Sequence, residues 1–363
     1  MENMVANNIF WKNKKIFITG HTGFKGSWLC MILHHLGAKL AGYSLKPKKD
    51  NLLFNSANIY SLMSQNFFGD IRNNKNLLHS VKSFKPEIFI HMAAQPIVLD
   101  SYKKPKYTFD VNINGTLNVL EIVRRLKYIK VCVIVTTDKV YRNDNLNKVF
   151  KEDDSLGGSD PYSGSKACKE IIVDSYIKSF FKKNKNCRIA TVRAGNVIGG
   201  GDRARHRIFP DFFKSIKSKK ILNVRFPNAI RPWQFVLEPL FGYLILSKKL
   251  YQNRLKNIPN TWNFGPDKSS FKNVRSIITL LKKNFKCKII YSSKKIKNES
   301  YSLKLSNIKS KKYLGWRPVY NLNYSLKEIV SWEKNFMRSN NENLLKFSTN
   351  QIIKYIKLSK INI

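Results

Sequence analysis

Acidic residues are scarce in this chain. Its 363 residues hold 23 Asp and Glu against 66 Lys and Arg, a formal net charge of +43. So lopsided a balance makes a nucleic-acid protein the first reading to weigh. The cations do not gather as that reading requires. They lie in short runs such as Lys46-Pro47-Lys48-Lys49 and Lys217-Ser218-Lys219-Lys220, with no aromatic-interleaved basic ribbon and no zinc-finger spacing. Lys, Asn and Ile are abundant together, as an A+T-rich coding bias would leave them, so no specific nucleic-acid partner is expected. Cysteine is sparse as well: Cys30, Cys132, Cys168, Cys187 and Cys287 form no C-x-x-C pair. An odd number in apolar settings fits neither a disulfide framework nor a metal site, which points to a reduced, cytoplasmic protein without metal. Long apolar runs are missing too. The longest, Leu240-Phe241-Gly242-Tyr243-Leu244-Ile245-Leu246, falls far short of the roughly 20 residues of a membrane-spanning helix and reads as a core helix. The first eight residues lack the basic-then-apolar order of a signal peptide. With 43% hydrophobic residues and no internal repeat, the chain can build one large core or two unequal domains.

What is present has a recognisable order. A strand, Lys14 to Thr19, runs into Gly20-His21-Thr22-Gly23-Phe24-Lys25-Gly26 and then a helical pattern through Trp28, Leu29, Ile32, Leu33 and Leu36. Strand, glycine turn and helix together form a dinucleotide-binding signature. Gly20 allows the turn, Gly23 lets a pyrophosphate approach the backbone, Gly26 lets the helix pack, and the helix N-terminus supplies amides to the phosphates. A second strand ends at Ser44-Leu45-Lys46 without the carboxylate that often holds an NAD ribose, so at this position NAD and NADP both stay open. Asp70, at the exit of a third strand over 67–71, is a candidate acceptor for an adenine amino group. A fourth strand over 87–95 ends in small residues, Ala93 and Ala94, that can pass beneath a cofactor, and His91 within it reads as a packed strand histidine. Val131 to Val135 is a buried strand closed by Thr136-Thr137-Asp138-Lys139. Tyr162 and Lys166 then fall one helical turn apart on one face. An ammonium beside a phenol favours the phenolate, giving a base able to take a proton from a sugar hydroxyl. Arg203, Arg205, Arg207, Arg225 and Arg231 crowd a loop-rich stretch and suit a diphosphate, with Arg203 and Arg225 the most surface-like. Strands and helices in alternation predict an α/β fold, a doubly wound parallel sheet with ligand across the carboxyl ends of its strands. The Rossmann domain is expected over 10–196 with a returning segment near 235–265. A smaller mixed α/β substrate domain is expected over 197–234 and 266–336, and an appended helix or tail over 337–363.

These blocks, with Asp160-Pro161-Tyr162-Ser163, Arg193 to Asp202, Ile230-Arg231-Pro232-Trp233-Gln234 and Trp262-Asn263-Phe264-Gly265-Pro266, resemble the extended short-chain dehydrogenase/reductase family. Within it they are most similar to the nucleotide-sugar 4,6-dehydratases. Thr137-Asp138-Lys139 matches the CDP-glucose branch, where dTDP-glucose dehydratases carry Thr-Asp-Glu and epimerases carry no acid. The resemblance implies bound NAD and a CDP-glucose substrate. Thr137, Asp138, Lys139, Tyr162 and Lys166 would be catalytic: Tyr162 the base at the 4-hydroxyl, Asp138 the acid at C6, Lys139 in the place of the C5 base or an enolate-stabilising cation. Cofactor contacts would come from Gly20, Thr22, Gly23, Phe24, Lys25, Gly26, Ser44, Asp70, Ile71, Ala93, Ala94, Gln95, Asn112, Tyr162 and Lys166. Substrate contacts would come from Gln95, Asn196, Arg207, Arg231 and Gln234. A homodimer or tetramer and a role in deoxysugar synthesis for surface polysaccharide are implied in the same way. The chain departs from the branch at Gly164, Phe235 and Ser306, positions that bear on the nucleotide. Another nucleotide-sugar dehydratase or epimerase, or a catalytically silent dinucleotide-binding module, are the alternative readings.

Overall fold

The computed structural model describes residues 9–48, 52–144, 148–182, 186–255, 257–292, 302–338 and 343–360. The first half alternates strand and helix: β1 (Lys15–Thr19), α1 (Phe24–His35), β2 (Lys39–Ser44), α2 (Leu52–Ser56), β3 (Gln65–Phe68), α3 (Asn74–Phe84), β4 (Ile88–His91), α4 (Val98–Lys103), α5 (Pro105–Phe109), α6 (Gly115–Arg125), β5 (Val131–Val135), β6 (Val149–Phe150), α7 (Pro161–Tyr176) and β7 (Arg188–Ala194). Beyond it follow β8 (Asn196–Ile198), α8 (Ile208–Lys217), β9 (Leu222–Val224), β10 (Ile230–Phe235), α9 (Leu237–Tyr251), β11 (Thr261–Phe264), β12 (Phe271–Asn273), α10 (Val274–Lys282), β13 (Ile289–Tyr291), β14 (Lys304–Leu305), α11 (Leu322–Arg338) and α12 (Leu344–Ser359). Seven strands form one sheet in the order β11-β7-β5-β4-β1-β2-β3. Every pairing in it is parallel.

The strand sequences explain why both faces are covered. In β5, Val131, Val133 and Val135 join one core while Cys132 and Ile134 join the other, and in β1 Ile16 and Ile18 are likewise separated from Phe17. Period-two alternation with apolar residues on both sides marks a strand buried between helical layers. The chain from α9 to β11 returns to this sheet, where β11 pairs with β7. The remaining strands are short: β8 pairs parallel and β12 antiparallel with β10, while β9 pairs with β13 and β6 with β14.

Some boundaries differ from the sequence reading. The third strand ends at Phe68, leaving Asp70 in the following turn, and the fourth ends at His91, so Ala93, Ala94 and Gln95 lie in a loop. A π-helical turn, Asp110–Asn114, joins α5 to α6. Residues 339–342 and 361–363 of the expected tail lie outside the described residues, but its middle is α12. Leu344, Ile352 and Tyr355 of α12 are fully buried, and Tyr355 packs on Phe241 of α9 at 4.7 Å between ring centres. Helices α1 and α9 are apolar nearly all round, and such helices need cover on every side.

One buried group opposes folding. Lys169 on α7 is fully buried and its Nζ has no hydrogen-bond partner among the described residues. Burial, with Lys166 adding to it, holds its pKa well below the ordinary 10.5. Below that value the unfolded chain binds a proton that the folded chain refuses, so this lysine lowers stability at neutral pH. Lys169→Met should raise stability by about 1–3 kcal/mol at neutral pH. The gain over wild type should shrink as pH climbs toward 10.5, read from paired denaturation curves. An equal or lower stability of the variant would contradict this.

Candidate active site

A cleft of about 740 Å³ opens across the carboxyl ends of the central strands. On its first wall, Gly20 adopts φ +77° and its N–H donates to the Tyr43 carbonyl at 2.9 Å. A Cβ at Gly26 would sit 2.2 Å from the Gly20 carbonyl oxygen, so α1 begins pressed against the turn. Gly23 caps α1 in an extended conformation without a side-chain cap. The first amides of the helix therefore keep donor capacity for an anion. At the end of β2 the Thr22 and Ser44 hydroxyls meet at 2.7 Å, the right chemistry for a ribose edge. Asp70 also lines the cleft, but Arg72 grips its carboxylate through Nε at 3.0 Å and Nη2 at 2.8 Å. That pairing with Arg72 lowers the Asp70 pKa and leaves the turn tightly set. Glycine turn, helix amides and paired hydroxyls together fit a dinucleotide.

The second wall carries the titratable groups. Thr137 caps the short turn Asp138–Val140 and donates to Asp138 Oδ1 at 3.0 Å. Asp138 is buried, and its Oδ2 has no hydrogen-bond partner among the described residues. Helix α7 starts where Asp160 accepts from the Ser163 N–H at 3.0 Å and from its hydroxyl at 2.6 Å. Ser101 of α4 accepts from the Tyr162 N–H at 3.2 Å. These caps hold Tyr162 on the cleft wall that also carries Thr137 and Asp138, and Lys166 Nζ lies 5.9 Å from the Tyr162 ring centre.

Burial dominates the electrostatics here. It raises the Asp138 pKa, against the opposing pull of Lys139, Thr137 and Arg231. It also pushes Tyr162 up to about 12, relieved by the Thr137 hydrogen bond and the charge of Arg207. Lys166 falls to about 7 through burial and the nearby Lys25. The sequence reading had Lys166 acidifying the phenol. Instead burial outweighs it and strips Lys166 of much of its own charge, while Thr137 and Arg207 do the favouring. Lys25, facing Arg207 and Asp138, is itself brought to about 8 by burial.

Most of the residues singled out from the sequence line this one cleft: Gly20, Thr22, Gly23, Phe24, Lys25, Gly26, Ser44, Asp70, Ile71, Ala93, Ala94, Thr137, Asp138, Lys139, Tyr162, Lys166, Asn196, Arg207 and Arg231. Three do not. Gln95 turns inward, donating to Thr108 Oγ1 at 2.9 Å and to the Ile97 carbonyl at 3.1 Å. Gln234 donates to the Phe264 carbonyl at 2.8 Å from a buried position. Asn112 accepts from the Gln95 N–H at 2.9 Å and donates to Ser165 Oγ at 2.9 Å, tying the β4 loop to α7 behind the cleft. His91 is buried between the Thr19 and Thr116 hydroxyls, at 2.7 and 3.1 Å.

Sequence reasoning missed two ion pairs beside the site. Glu170 of α7 meets Arg193 of β7 at 2.9 Å, both buried. Glu170 Oε2 also accepts from Thr191 Oγ1 at 2.7 Å, which fixes α7 to the sheet. Asp202 meets Arg207 Nη1 at 3.1 Å and aims it at the cleft. Arg203, expected at the solvated surface, instead pairs at 2.7 Å with Glu333, a carboxylate only 1% exposed. Among the described residues no group of His, Cys, Asp and Glu is arranged to hold a metal ion, and no helix is long and apolar enough to cross a membrane.

Comparison with known proteins places this geometry. The family model for GDP-mannose 4,6 dehydratase matches residues 17–329. A CDP-glucose 4,6-dehydratase of Salmonella typhimurium is 39% identical over 359 residues, covering 97% of this chain and 99% of that protein. Among solved structures, dTDP-glucose 4,6-dehydratase from Bacillus anthracis in complex with NAD superposes with a TM-score of 0.73 at 21% identity, covering 90% of this chain and 98% of that one. The UDP-glucose 4-epimerase of Thermus thermophilus in complex with NAD also gives a TM-score of 0.73, at 19% identity over 88% and 99% of the two chains. A glycine-turned cleft that gathers Thr137, Asp138, Tyr162 and Lys166, carried on a sequence so alike from end to end, makes this chain a member of the GDP-mannose 4,6-dehydratase family of extended short-chain dehydrogenases/reductases.

Proposed function

We propose that the chain is a hydro-lyase that converts CDP-D-glucose to CDP-4-dehydro-6-deoxy-D-glucose and water, with NAD as its resident cofactor. The observation that carries this reading is the gathering of Tyr162, Thr137 and Asp138 in one cleft, with Thr137 bonded to Asp138. It sets a phenol and a carboxyl group with a free oxygen on one wall of one cleft. An epimerase needs the phenol but has no use for the buried acid.

The diphosphate of NAD would lie on the Gly20 to Gly26 turn, and its nicotinamide would face Tyr162 and Lys166. NAD supplies a reversible hydride store, filled from sugar C4 and emptied onto C6. Everything else falls to side chains. Tyr162 takes the proton of the 4-hydroxyl, while Thr137, on the same cleft wall, steadies the 4-oxygen. The resulting 4-ketone acidifies the C5 proton. Lys139, half-buried on the cleft wall, would accept that proton or neutralise the enolate. Asp138, whose pKa burial raises, donates to the departing 6-hydroxyl, so that water leaves rather than hydroxide. Arg207 and Arg231 would clamp the nucleotide diphosphate with forked donors.

Incubation with CDP-glucose, dTDP-glucose and UDP-glucose, read by the alkaline ultraviolet absorbance of 4-keto-6-deoxy sugars, tests this. Product from CDP-glucose ahead of the other two supports the assignment. Product from dTDP- or UDP-glucose alone would move it to another substrate, and none from any would end it.

A second copy of the chain fits the outward face of α5, α7 and the π-helical turn Ile177–Phe181 that continues α7, where Phe109, Ile171 and Phe180 are exposed; light scattering giving a monomer mass would refute this. We place the enzyme in the cytoplasm, where its five free cysteines stay reduced, making precursors for deoxysugars of surface polysaccharide such as lipopolysaccharide O-antigen. A mature chain recovered only from extracytoplasmic fractions would refute that placement.

A further inference from the structure

The loop between β8 and α8 delivers Arg207 to the cleft, and it is gripped from the other side by α11, none of whose residues lines the cleft, and by Trp28 of α1. The Trp332 ring of α11 lies so close beneath Gly200 that a Cβ there would fall 2.1 Å from it. From α1, Trp28 Nε1 donates to the Gly200 carbonyl at 3.1 Å. Glu333 accepts from Arg203 Nη1 at 2.8 Å and Nη2 at 2.7 Å, a two-pronged pair. Arg203 also stacks over Phe336 at 5.3 Å. Helix α11 is held in turn by α12: Trp332 Nε1 donates to Ser348 Oγ at 2.9 Å, and Gln351 Nε2 donates to Glu328 Oε2 at 2.8 Å. Trp332, Glu333 and all of α12 lie past residue 329, where the family match ends.

Competition for Asp202 gives this arrangement a consequence. Arg203 already donates to the Asp202 backbone carbonyl at 3.0 Å, while the Asp202 carboxylate holds Arg207 at 3.1 Å. Arg203 thus sits at the backbone of the residue whose carboxylate holds Arg207, and its forked charge pair with Glu333 is a strong restraint that keeps it off that carboxylate. We propose that Glu333 is a positioning residue for substrate: by holding Arg203 back against α11, it leaves Asp202 free to orient Arg207 toward the nucleotide diphosphate. The C-terminal helix pair is then the outer brace of the substrate loop. This rests on the reading of Arg207 as a diphosphate ligand.

The test uses the full chain and the variants Glu333→Gln, Arg203→Met and the double variant. The readouts are kcat and KM with CDP-glucose, and dissociation constants for CDP and for NAD by calorimetry. Glu333→Gln should raise the CDP dissociation constant and KM tenfold or more, with kcat within threefold and NAD affinity within twofold of wild type. The double variant, having no Arg203 to compete, should return CDP affinity to within threefold. If Glu333→Gln cannot be purified folded, Arg203→Met alone decides: CDP affinity within threefold of wild type supports the brace, whereas a tenfold loss makes Arg203 a direct ligand and overturns it. Unchanged CDP affinity in Glu333→Gln, a double variant no better than the single, or parallel loss of CDP and NAD affinity would also overturn it. Wild-type protein that binds CDP but does not turn over CDP-glucose would instead remove the assigned reaction and leave the brace standing.

Discussion

Replacing Tyr162 by Phe should reduce turnover by about 10³-fold while leaving the fold and NAD binding in place, since a positioned general base contributes roughly 10²–10⁴-fold. The substitution deletes one oxygen, the acceptor of the 4-hydroxyl proton, and keeps the ring that packs beside Lys166. A pH signature accompanies it. Burial holds the Tyr162 pKa near 12, with Thr137 and Arg207 working against that rise. The phenol is therefore mostly protonated near neutrality, and wild-type kcat/KM should climb as pH increases through the neutral range. The Phe variant should lose both the rate and that slope. A variant retaining a tenth of wild-type turnover would assign the base elsewhere, with Lys166, at about 7, the nearest substitute.

Asp138→Asn should produce a loss of about 10²–10³-fold of a different kind. The amide keeps the size and the hydrogen bond to Thr137 but has no acidic proton for the leaving hydroxyl. Asp138 can serve as the acid because burial raises its pKa, and its Oδ2 has no partner among the described residues. A substrate whose leaving group needs no proton separates this role from simple structural damage. With CDP-6-deoxy-6-fluoroglucose, which expels fluoride, the Asn variant should fall less than tenfold below wild type. Equal losses on both substrates would mean that Asp138 shapes the cleft rather than donating the proton.

The parts of the site set by local chain chemistry were legible in advance. Val131 to Val135 is β-branched and apolar enough to fix β5, which placed Thr137 and Asp138 at a strand end. Tyr162 and Lys166 stand four residues apart in a helical apolar pattern, so they could be put on one face of α7. Gly20 and Gly26 are needed by geometry that only glycine satisfies. Side-chain direction in loops was not legible, because packing across the chain decides it. Gln95 and Gln234 sit in segments beside the cleft yet spend their amides on Thr108, Ile97 and Phe264. Lys169 shares the helical face of Tyr162 and Lys166, and nothing local marks it as the lysine that ends beneath the sheet instead of in the cleft. Arg203 and Glu333 are 130 residues apart, so their pairing left no local trace. The weight of burial on Tyr162 and Lys166 was not legible for a similar reason. Spacing reports proximity but not desolvation, and desolvation dominates both groups.

The central claim is that one glucosyl carbon lends a hydrogen to another within a single bound molecule while Asp138 drives water out between the two steps. CDP-glucose carrying deuterium at C4 tests it most directly, with the product examined by NMR and mass spectrometry. The account predicts deuterium on C6 of the 4-keto-6-deoxy product, transferred within the molecule, with one solvent-derived hydrogen at C5. Deuterium still on C4, or lost to solvent, would contradict it.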